Sequence, residues 1–188
     1  MRTSESPKYM SLNDVRMTRK RPSAPRVKGN EAVRAVALRI VGAFLFCMPL
    51  FSCAGKRPTN LGVKASRLTP CPSSPNCVSS DADNSTHSIA AFALAMPSRE
   101  AWLAVRGSVE SLPRTKIITE TSDYLHAECT SSVFGFVDDL ELHLRPPEGF
   151  IAVRSASRLG HSDLGVNRRR IEDLRALLLK HGIVGTLA

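Results

Sequence analysis

Residues 124–157 carry the clearest strand pattern of the chain, YLHAECTSSVFGFVDDLELHLRPPEGFIAVRSAS. Apolar and polar side chains alternate over 124–130 and again over 136–145, which is the period of half-buried β-strands. The Pro-Pro-Glu-Gly sequence at 146–149 is typical of a turn, and a further strand is expected over 150–157. Strands joined by such short connections pair as an antiparallel meander.

On either side of this meander the sequence predicts a helix. The first begins with Ser98 as its N-cap and ends before Pro113, with apolar side chains at helical spacing between them. Residues 116–120 add one more strand, and the second helix runs from about 164 to 180 and stops before Gly182. We therefore predict an α+β fold, a two-layer sandwich in which two helices pack on one face of a small antiparallel sheet of about four strands.

The basic charge of the chain is confined to its N-terminal part. The net charge is +9, but residues 1–57 hold 12 Lys or Arg against three Asp or Glu, whereas residues 58–188 hold 14 of each sign. A neutral body lacks the excess of positive charge that neutralises phosphates. Nucleic acid is therefore not expected as a partner.

The basic segment is followed by an apolar run of 12 residues, 40–51, which ends close to Cys53. The run has the length of a signal-peptide core and is too short for a bilayer span, which takes roughly 20 apolar residues. The sequence LFSC at 50–53 resembles the lipobox of bacterial lipoproteins. We predict that the leader, 1–53, is cleaved before Cys53 and that lipid on this cysteine anchors the protein in the membrane, on the periplasmic side of the bacterial cell envelope.

Other interpretations of the leader remain open. It could be an ordinary signal peptide or a short uncleaved anchor in which Cys53 is incidental, or the protein could be cytoplasmic. The natural start could also be Met17, directly before a basic cluster. Behind the leader we expect a polar tether over 54–70 and a single domain over 71–188.

Cys71 and Cys77 flank a loop rich in Pro and Ser. Outside the cytoplasm such thiols pair, and we predict a structural disulfide between them. The alternatives are a redox-active pair, which usually has the closer spacing C-x-x-C, or two metal ligands, for which only His87 lies conveniently near. Cys129 falls on the apolar face of its strand and is interpreted as a small core residue rather than a nucleophile.

Three longer motifs occur together: CPSSPNCVSS at 71–80, FGFVDD at 134–139 and RSASRLGHSDLGVNR at 154–168. In these stretches the chain resembles the domain of unknown function 1499 family, found in bacterial exported proteins and in plant plastid relatives. The resemblance extends from about Cys71 to the C-terminus. It implies a shared fold and an exported location, and it implies no activity.

Asp138 shares its strand face with leucines, so its carboxylate is expected to point toward the core and to need a partner. Arg154 or Arg158 on the next strand could be that partner through a bidentate contact. Asp139 faces the other way and is expected to be solvated. A buried structural ion pair and a recessed site in which the two arginines bind an anionic group both remain open.

The segment that leads into the last helix is also polar. Asp163 can cap the helix amides, and these amides together with nearby arginines could hold a carboxylate or phosphate, with His161 as an acid or base beside it. The alternative is a well-capped turn whose arginines lie on the helix surface. The ligand-binding candidates are Asp138, Arg154, Arg158, His161, Asp163, Asn167 and Arg168.

Three functions are compatible with these residues. The favoured one is a non-enzymatic envelope module that binds a partner protein or a small anionic ligand. The alternatives are a hydrolase-like enzyme that uses Asp138, His161 and Asp163, and a thiol-redox role for Cys71 and Cys77. The chain has no Gly-rich phosphate loop, no H-E-x-x-H and no C-x-x-C-H, so no cofactor or metal is predicted.

Overall fold

The computed structural model describes residues 54–185, so Cys47, Cys53 and the rest of the leader lie outside the described part. The strands are β1 (Val63–Lys64), β2 (Arg67–Leu68), β3 (Cys77–Ser79), β4 (Phe92–Leu94), β5 (Thr115–Glu120), β6 (Tyr124–Thr130), β7 (Val137–Arg145), β8 (Phe150–Ser157) and β9 (Val184–Gly185). The helices are α1 (Ser98–Glu110) and α2 (Val166–Lys180). Over residues 54–185, neither helix has the length and apolar character needed to cross a membrane.

Seven of these strands form one antiparallel sheet in the order β5-β6-β7-β8-β4-β9, with β3 as an additional partner of β8. One half of β8 pairs with β3, so that Cys77 lies opposite Ala156. The other half pairs with β4, so that Phe92 lies opposite Ile151. The hairpin of β1 and β2 forms a separate two-stranded sheet.

The predicted fold class is wrong. The four strands expected from the sequence correspond to β5–β8, but β3, β4 and β9 enlarge the sheet to seven, and the β1–β2 hairpin adds a second sheet. The described part is therefore mostly sheet, not a small four-stranded sheet with helices on one face. The added strands have only two or three residues each, and so short a segment shows no period of two.

The longer elements lie close to where the alternation and the helical spacing place them. β6 and β8 have the predicted bounds, β7 begins one residue later at Val137, and α2 begins at Val166. The capping role predicted for Ser98 is wrong, because the cap position is Pro97 and no side chain caps α1. Instead, the carbonyl of Pro97 accepts a hydrogen bond from the amide of Ala101 at 3.0 Å, and the fixed φ of proline suits this entry to a helix.

The hydrophobic core lies between the helices and one face of β6, β7 and β8. The helices contribute side chains at spacings of three and four residues, which places them on one side of each helix. Full burial of each such side chain contributes roughly 1.5–3 kcal/mol to stability. The fully or nearly fully buried members include Trp102, Val105, Val109, Leu125, Leu140, Leu142, Val153, Ile171, Leu174 and Leu178.

Candidate functional site

The opposite face of the same three strands is also buried, although it carries mainly polar side chains. Every residue of β7 from Val137 to Arg145 is buried. The antiparallel register places acids and bases side by side across the strands, with Glu141 opposite His126 on β6 and opposite Arg154 on β8. Opposite charges at such cross-strand positions attract each other directly.

Glu141 lies at the centre of this polar face and has 0% of its surface exposed. One carboxylate oxygen accepts hydrogen bonds from the Tyr124 hydroxyl at 2.8 Å and from the amide of Gly62 at 2.7 Å. The other oxygen accepts from the Arg154 guanidinium at 2.7 Å. Burial, followed by the charge of Glu141, raises the pKa of Tyr124 well above its usual range, so the hydroxyl keeps its proton.

Asp139 is buried beside Glu141, and the prediction that it would be solvated is wrong. Arg158 donates to both of its carboxylate oxygens at 2.9 and 2.6 Å, and the ring of His126 lies 2.8 Å away. Burial alone would raise the pKa of Asp139, but the hydrogen bonds from Arg158 and His126 outweigh burial and lower it.

Glu128 on β6 extends the network to the segment that precedes β1, and it accepts hydrogen bonds from Arg158 at 2.5 Å and from Arg57 at 2.6 and 2.8 Å. Burial again acts to raise the pKa of Glu128, and the two arginines lower it below its usual range. The hydrogen bonds to Asp139 and Glu128 raise the pKa of Arg158 despite its burial. Arg158 therefore stays charged and shared between two carboxylates.

A second ion pair lies at the other end of β7. Arg145 donates to the carboxylate of Asp81 at 2.5 Å and to the ring of His143 at 3.1 Å. Burial, and then the charge of Arg145, lower the pKa of His143. This imidazole is therefore neutral over a wider range of pH than a free histidine.

The polar face is covered by residues 55–69, which we call the N-terminal strap; sequence analysis interpreted this segment as part of a tether. Four contacts of the strap involve members of the charge network. Gly55 lies on Arg158, Arg57 binds Glu128, Gly62 binds Glu141, and Leu68 binds Asp81.

The charges beneath the strap balance. Four arginines (Arg57, Arg145, Arg154 and Arg158) face four carboxylates (Asp81, Glu128, Asp139 and Glu141), and each arginine makes at least one ion pair. The buried Nε of Arg154 has no hydrogen-bond partner. Because Arg154 and Arg158 are already paired with the buried carboxylates of Glu141 and Asp139, they have no free charge to offer to an anion.

Asp138 lies on the core side of β7, as its position in the alternation predicts, but its partner differs from the predicted one. Its carboxylate accepts a hydrogen bond from Arg170 of α2 at 2.6 Å. The pairing expected with Arg154 or Arg158 is wrong because both arginines lie on the opposite face of the sheet. In the pairing of β7 with β8, Asp138 lies opposite Ser157 and the neighbouring Asp139 lies opposite Ala156.

Asp163 lies two residues before the cap position of α2, which is Gly165, and its carboxylate binds amides at the start of the helix. Its two carboxylate oxygens accept from the amide of Gly165 at 3.0 Å and from the amide of Asn167 at 2.7 Å. Asn167 is fully buried, and its side chain donates to Asp163 at 2.8 Å and to the carbonyl of Asn76 at 3.0 Å. Its carbonyl oxygen accepts from Arg170 at 2.7 Å, which joins this cluster to Asp138.

Asp138 and Asp163 line a common cleft of about 200 Å³, with Phe136, Ser157 and Leu159 among its other walls. His161 is exposed on the loop beside it, and none of the described hydrogen bonds joins its side chain to either aspartate. Arg168 reaches away from the cleft and donates to the carbonyl of Thr86 at 3.2 Å.

The seven candidate residues are thus divided between two sides of the sheet. Asp138, Asp163 and Asn167 form one cluster, Arg154 and Arg158 belong to the network beneath the strap, and His161 and Arg168 lie outside both. The charge network was missed because the outer face of a meander is ordinarily solvated. The signal for it was present in the sequence: Tyr, His, Glu, Asp and Arg recur on the outward positions of three adjacent strands, with small alanines beside the arginines.

The disulfide between Cys71 and Cys77 is confirmed. Cys77 is fully buried and belongs to β3, so the bridge joins the preceding loop to the sheet. Cys129 is a free, buried thiol on the core side of β6, and burial raises its pKa, which disfavours the reactive thiolate. Within residues 54–185, no three or more His, Cys, Asp or Glu side chains are grouped as metal ligands.

Fold and site together define a class of protein in which a seven-stranded antiparallel sheet carries an apolar core on one face and a covered charge network on the other. Residues 67–178 match the model of a family described as "Protein of unknown function (DUF1499)". The match covers more than half of the chain, so the chain belongs to this family, which confirms the resemblance found in its motifs. Searches of curated proteins and of solved structures found no match to the chain.

Proposed function

We propose that this protein is a lipoprotein of the bacterial cell envelope whose domain binds a partner molecule and does not catalyse a reaction. The observation that carries the second half of the proposal is that the buried and half-buried carboxylates are already held by fixed partners, and that exposed His161 is joined to none of them. Asp138 is bound by Arg170, Asp163 by two amides and Glu141 by three donors. A catalytic acid or nucleophile needs a free lone pair or proton directed at a substrate.

The anchor is supported by the sequence at Cys53 and by the disulfide. A bridge between Cys71 and Cys77 forms and persists in an oxidising compartment outside the cytoplasm. The complete burial of Cys77 favours a structural bridge over a thiol-redox centre, because an exchanging thiolate must reach the sulfur. The charge balance beneath the strap also argues that Arg154 and Arg158 serve the fold rather than an anionic ligand.

The test of the anchor is metabolic labelling of the full chain with a palmitate analogue in a bacterial host. We expect label on the wild-type protein, loss of label in Cys53→Ala, and retention of label in the matched control Cys47→Ala. Absence of label from the wild type, or label that persists in Cys53→Ala, would contradict the anchor.

The test of the non-enzymatic role is a panel of hydrolase substrates with the purified protein. We expect no turnover above background. Turnover that Asp163→Asn abolishes while the circular dichroism spectrum and melting temperature stay close to wild type would show that the cleft catalyses a reaction, and would overturn this half of the proposal.

A further inference from the structure

Large apolar side chains are exposed together at one end of the sheet, in the β6–β7 loop and the β8–α2 loop. Phe134 is 67% exposed and Leu164 is 83% exposed. We call the whole group the apolar rim: Val133, Phe134, Phe136, Leu159, Leu164 and Val166. Single exposed leucines are normal on a protein surface, but a contiguous apolar patch marks an interaction site.

Four members of the apolar rim lie close together in space: Phe134, Phe136, Leu159 and Val166. The rings of Phe134 and Phe136 have their centroids 5.7 Å apart. Phe136, Leu159 and Val166 line one cleft, so the two loops meet there. Asp138 and Asp163 are in the same cleft, but their carboxylates are bound by Arg170 and by helix amides. The surface around the cleft is therefore mainly apolar, because both carboxylates are already hydrogen-bonded within the domain.

The start of the strap reaches the apolar rim. A Cβ added to Gly55 would lie 3.0 Å from Cγ of Leu159 and 3.0 Å from Cβ of Arg158. Consecutive Cα atoms are about 3.8 Å apart, so the two peptide units between Cys53 and Gly55 can span at most roughly 8 Å. A lipid attached to Cys53 would therefore enter its bilayer directly beside the rim.

Several basic side chains flank the rim. Lys56 follows Gly55 in the strap and is exposed, and the next residue, Arg57, is paired with Glu128. Arg169 donates to the carbonyl of Leu164 at 2.9 Å, and Arg114 donates to the carbonyl of Thr130 at the base of the β6–β7 loop at 3.1 Å. Aromatic and aliphatic side chains flanked by Lys and Arg are the composition of surfaces that lie in the interface of anionic membranes.

We propose that the apolar rim inserts into the interface of the bilayer that holds the lipid on Cys53. The partner of this surface is the lipid bilayer itself. The inference rests on the proposed anchor, because the position of Cys53 selects a membrane over a second protein as the occupant of the rim. Insertion of the rim fixes the orientation of the domain, with the β6–β7 and β8–α2 loops toward the lipid and the Pro146 turn away from it.

The test uses tryptophan as a depth reporter in the full-length lipidated protein. Trp102 is the single tryptophan of the chain, and its buried indole N–H has no hydrogen-bond partner. Trp102→Phe therefore removes an unsatisfied group and provides a background without tryptophan. Phe134→Trp then places the reporter in the rim, and Leu103→Trp is the matched control because Leu103 is 62% exposed.

The control lies at the far end of the molecule. Leu103 shares a cleft with Pro146, which follows the end of β7 that points away from the rim. The nine residues of β7 separate the two ends by roughly 27 Å, at about 3.3 Å per residue. Far-ultraviolet circular dichroism of both variants checks that the fold is retained.

Each protein is reconstituted into vesicles of phosphatidylethanolamine and phosphatidylglycerol whose acyl chains are brominated. The rim reporter should be quenched roughly two-fold and blue-shifted, since an interfacial segment lies about 5–10 Å deep, whereas the control reporter should be unchanged. Equal, weak quenching at both positions on a protein that carries lipid would overturn the rim insertion and leave the anchor intact. A blue shift without quenching that grows with protein density would instead assign the rim to a second copy of the chain. Absence of lipid on Cys53 would overturn both proposals.

Discussion

At the scale of single residues, Glu141 shows what holds the covered face together. Its carboxylate is completely buried and is bound by a strand arginine, a tyrosine and a strap amide. Removing a carboxylate from water costs several kcal/mol unless its partners replace the lost hydration. Here the donors come from three segments, so Glu141 ties β6, β8 and the strap to β7.

We expect Glu141→Gln to destabilise the protein by about 3–5 kcal/mol, because Arg154 would keep its buried charge without a counter-ion. The measurement is urea denaturation followed by circular dichroism. The matched control is Glu172→Gln, whose carboxylate forms a half-exposed pair with Arg175 on α2; its effect should stay within about 0.5 kcal/mol. Equal effects of the two substitutions would mean that the buried pair of Glu141 and Arg154 contributes no more to the free energy of unfolding than the half-exposed pair on α2.

The two adjacent aspartates mark how far single residues could be predicted from the sequence. Strand alternation correctly predicted that Asp138 points toward the core. Its partner lies on α2, however, and the spacing of residues along a strand does not predict which helix side chain packs against it. Asp139 was expected in solvent because alternation assigns a face and does not say whether another segment covers it. The contact of Asp163 with amides at the start of α2 depends only on local sequence, which is why such a contact can be anticipated from the residues alone.

At the scale of elements, the long strands were predictable because seven to nine residues show a period of two, and the short strands β3, β4 and β9 were not. The strap was missed for a related reason. Its bonds to the rest of the domain use backbone amides and two arginines, and most residues have a backbone amide whatever the side chain. Composition alone therefore made it resemble a linker.

Gly55 gives a test of the strap as a structural element. Its φ is +65°, and an added Cβ would lie only 3.0 Å from Arg158. Gly135 has φ +67° with no atom within 4 Å of an added Cβ. Both Gly→Ala substitutions carry the strain of a left-handed conformation, about 1–2 kcal/mol, but only Gly55→Ala also displaces the start of the strap.

Hydrogen exchange separates the two effects. In Gly55→Ala we expect faster exchange at residues 56–62, including the amide of Gly62, whereas Gly135→Ala should leave these amides protected as in the wild type. Unchanged protection in both variants would show that the strap is held by its later contacts alone.

At the scale of the whole molecule, the network makes stability depend on pH. His143 has a folded-state pKa below its unfolded value of about 6.5. Its contribution to the free energy of unfolding is therefore complete above that pH and falls as the pH drops toward the folded-state pKa. Asp139 and Glu128 also have lowered pKa values. Their contribution is complete above their unfolded values of about 4 and is lost below them.

We therefore expect the urea midpoint to decrease in two stages on acidification, first below about pH 6.5 and then more steeply below about pH 4. His143→Gln should remove the first stage and Glu128→Gln should reduce the second. Asp83→Asn, which changes an exposed carboxylate outside the network, should preserve both. A midpoint that rises on acidification would contradict the signs of all three shifts.

The position of Gly55 limits how far the domain can travel. A flexible linker of 20 residues would let an anchored domain reach far into the periplasm. Here the strap begins at Gly55, within two residues of the proposed anchor, so there is no such linker between them. A domain of about 130 residues has a radius of gyration of about 14 Å, so no part of the described body would stand more than roughly 40 Å above the lipid. With the proposed anchor in place, any molecule that the domain binds would have to come to the bilayer itself.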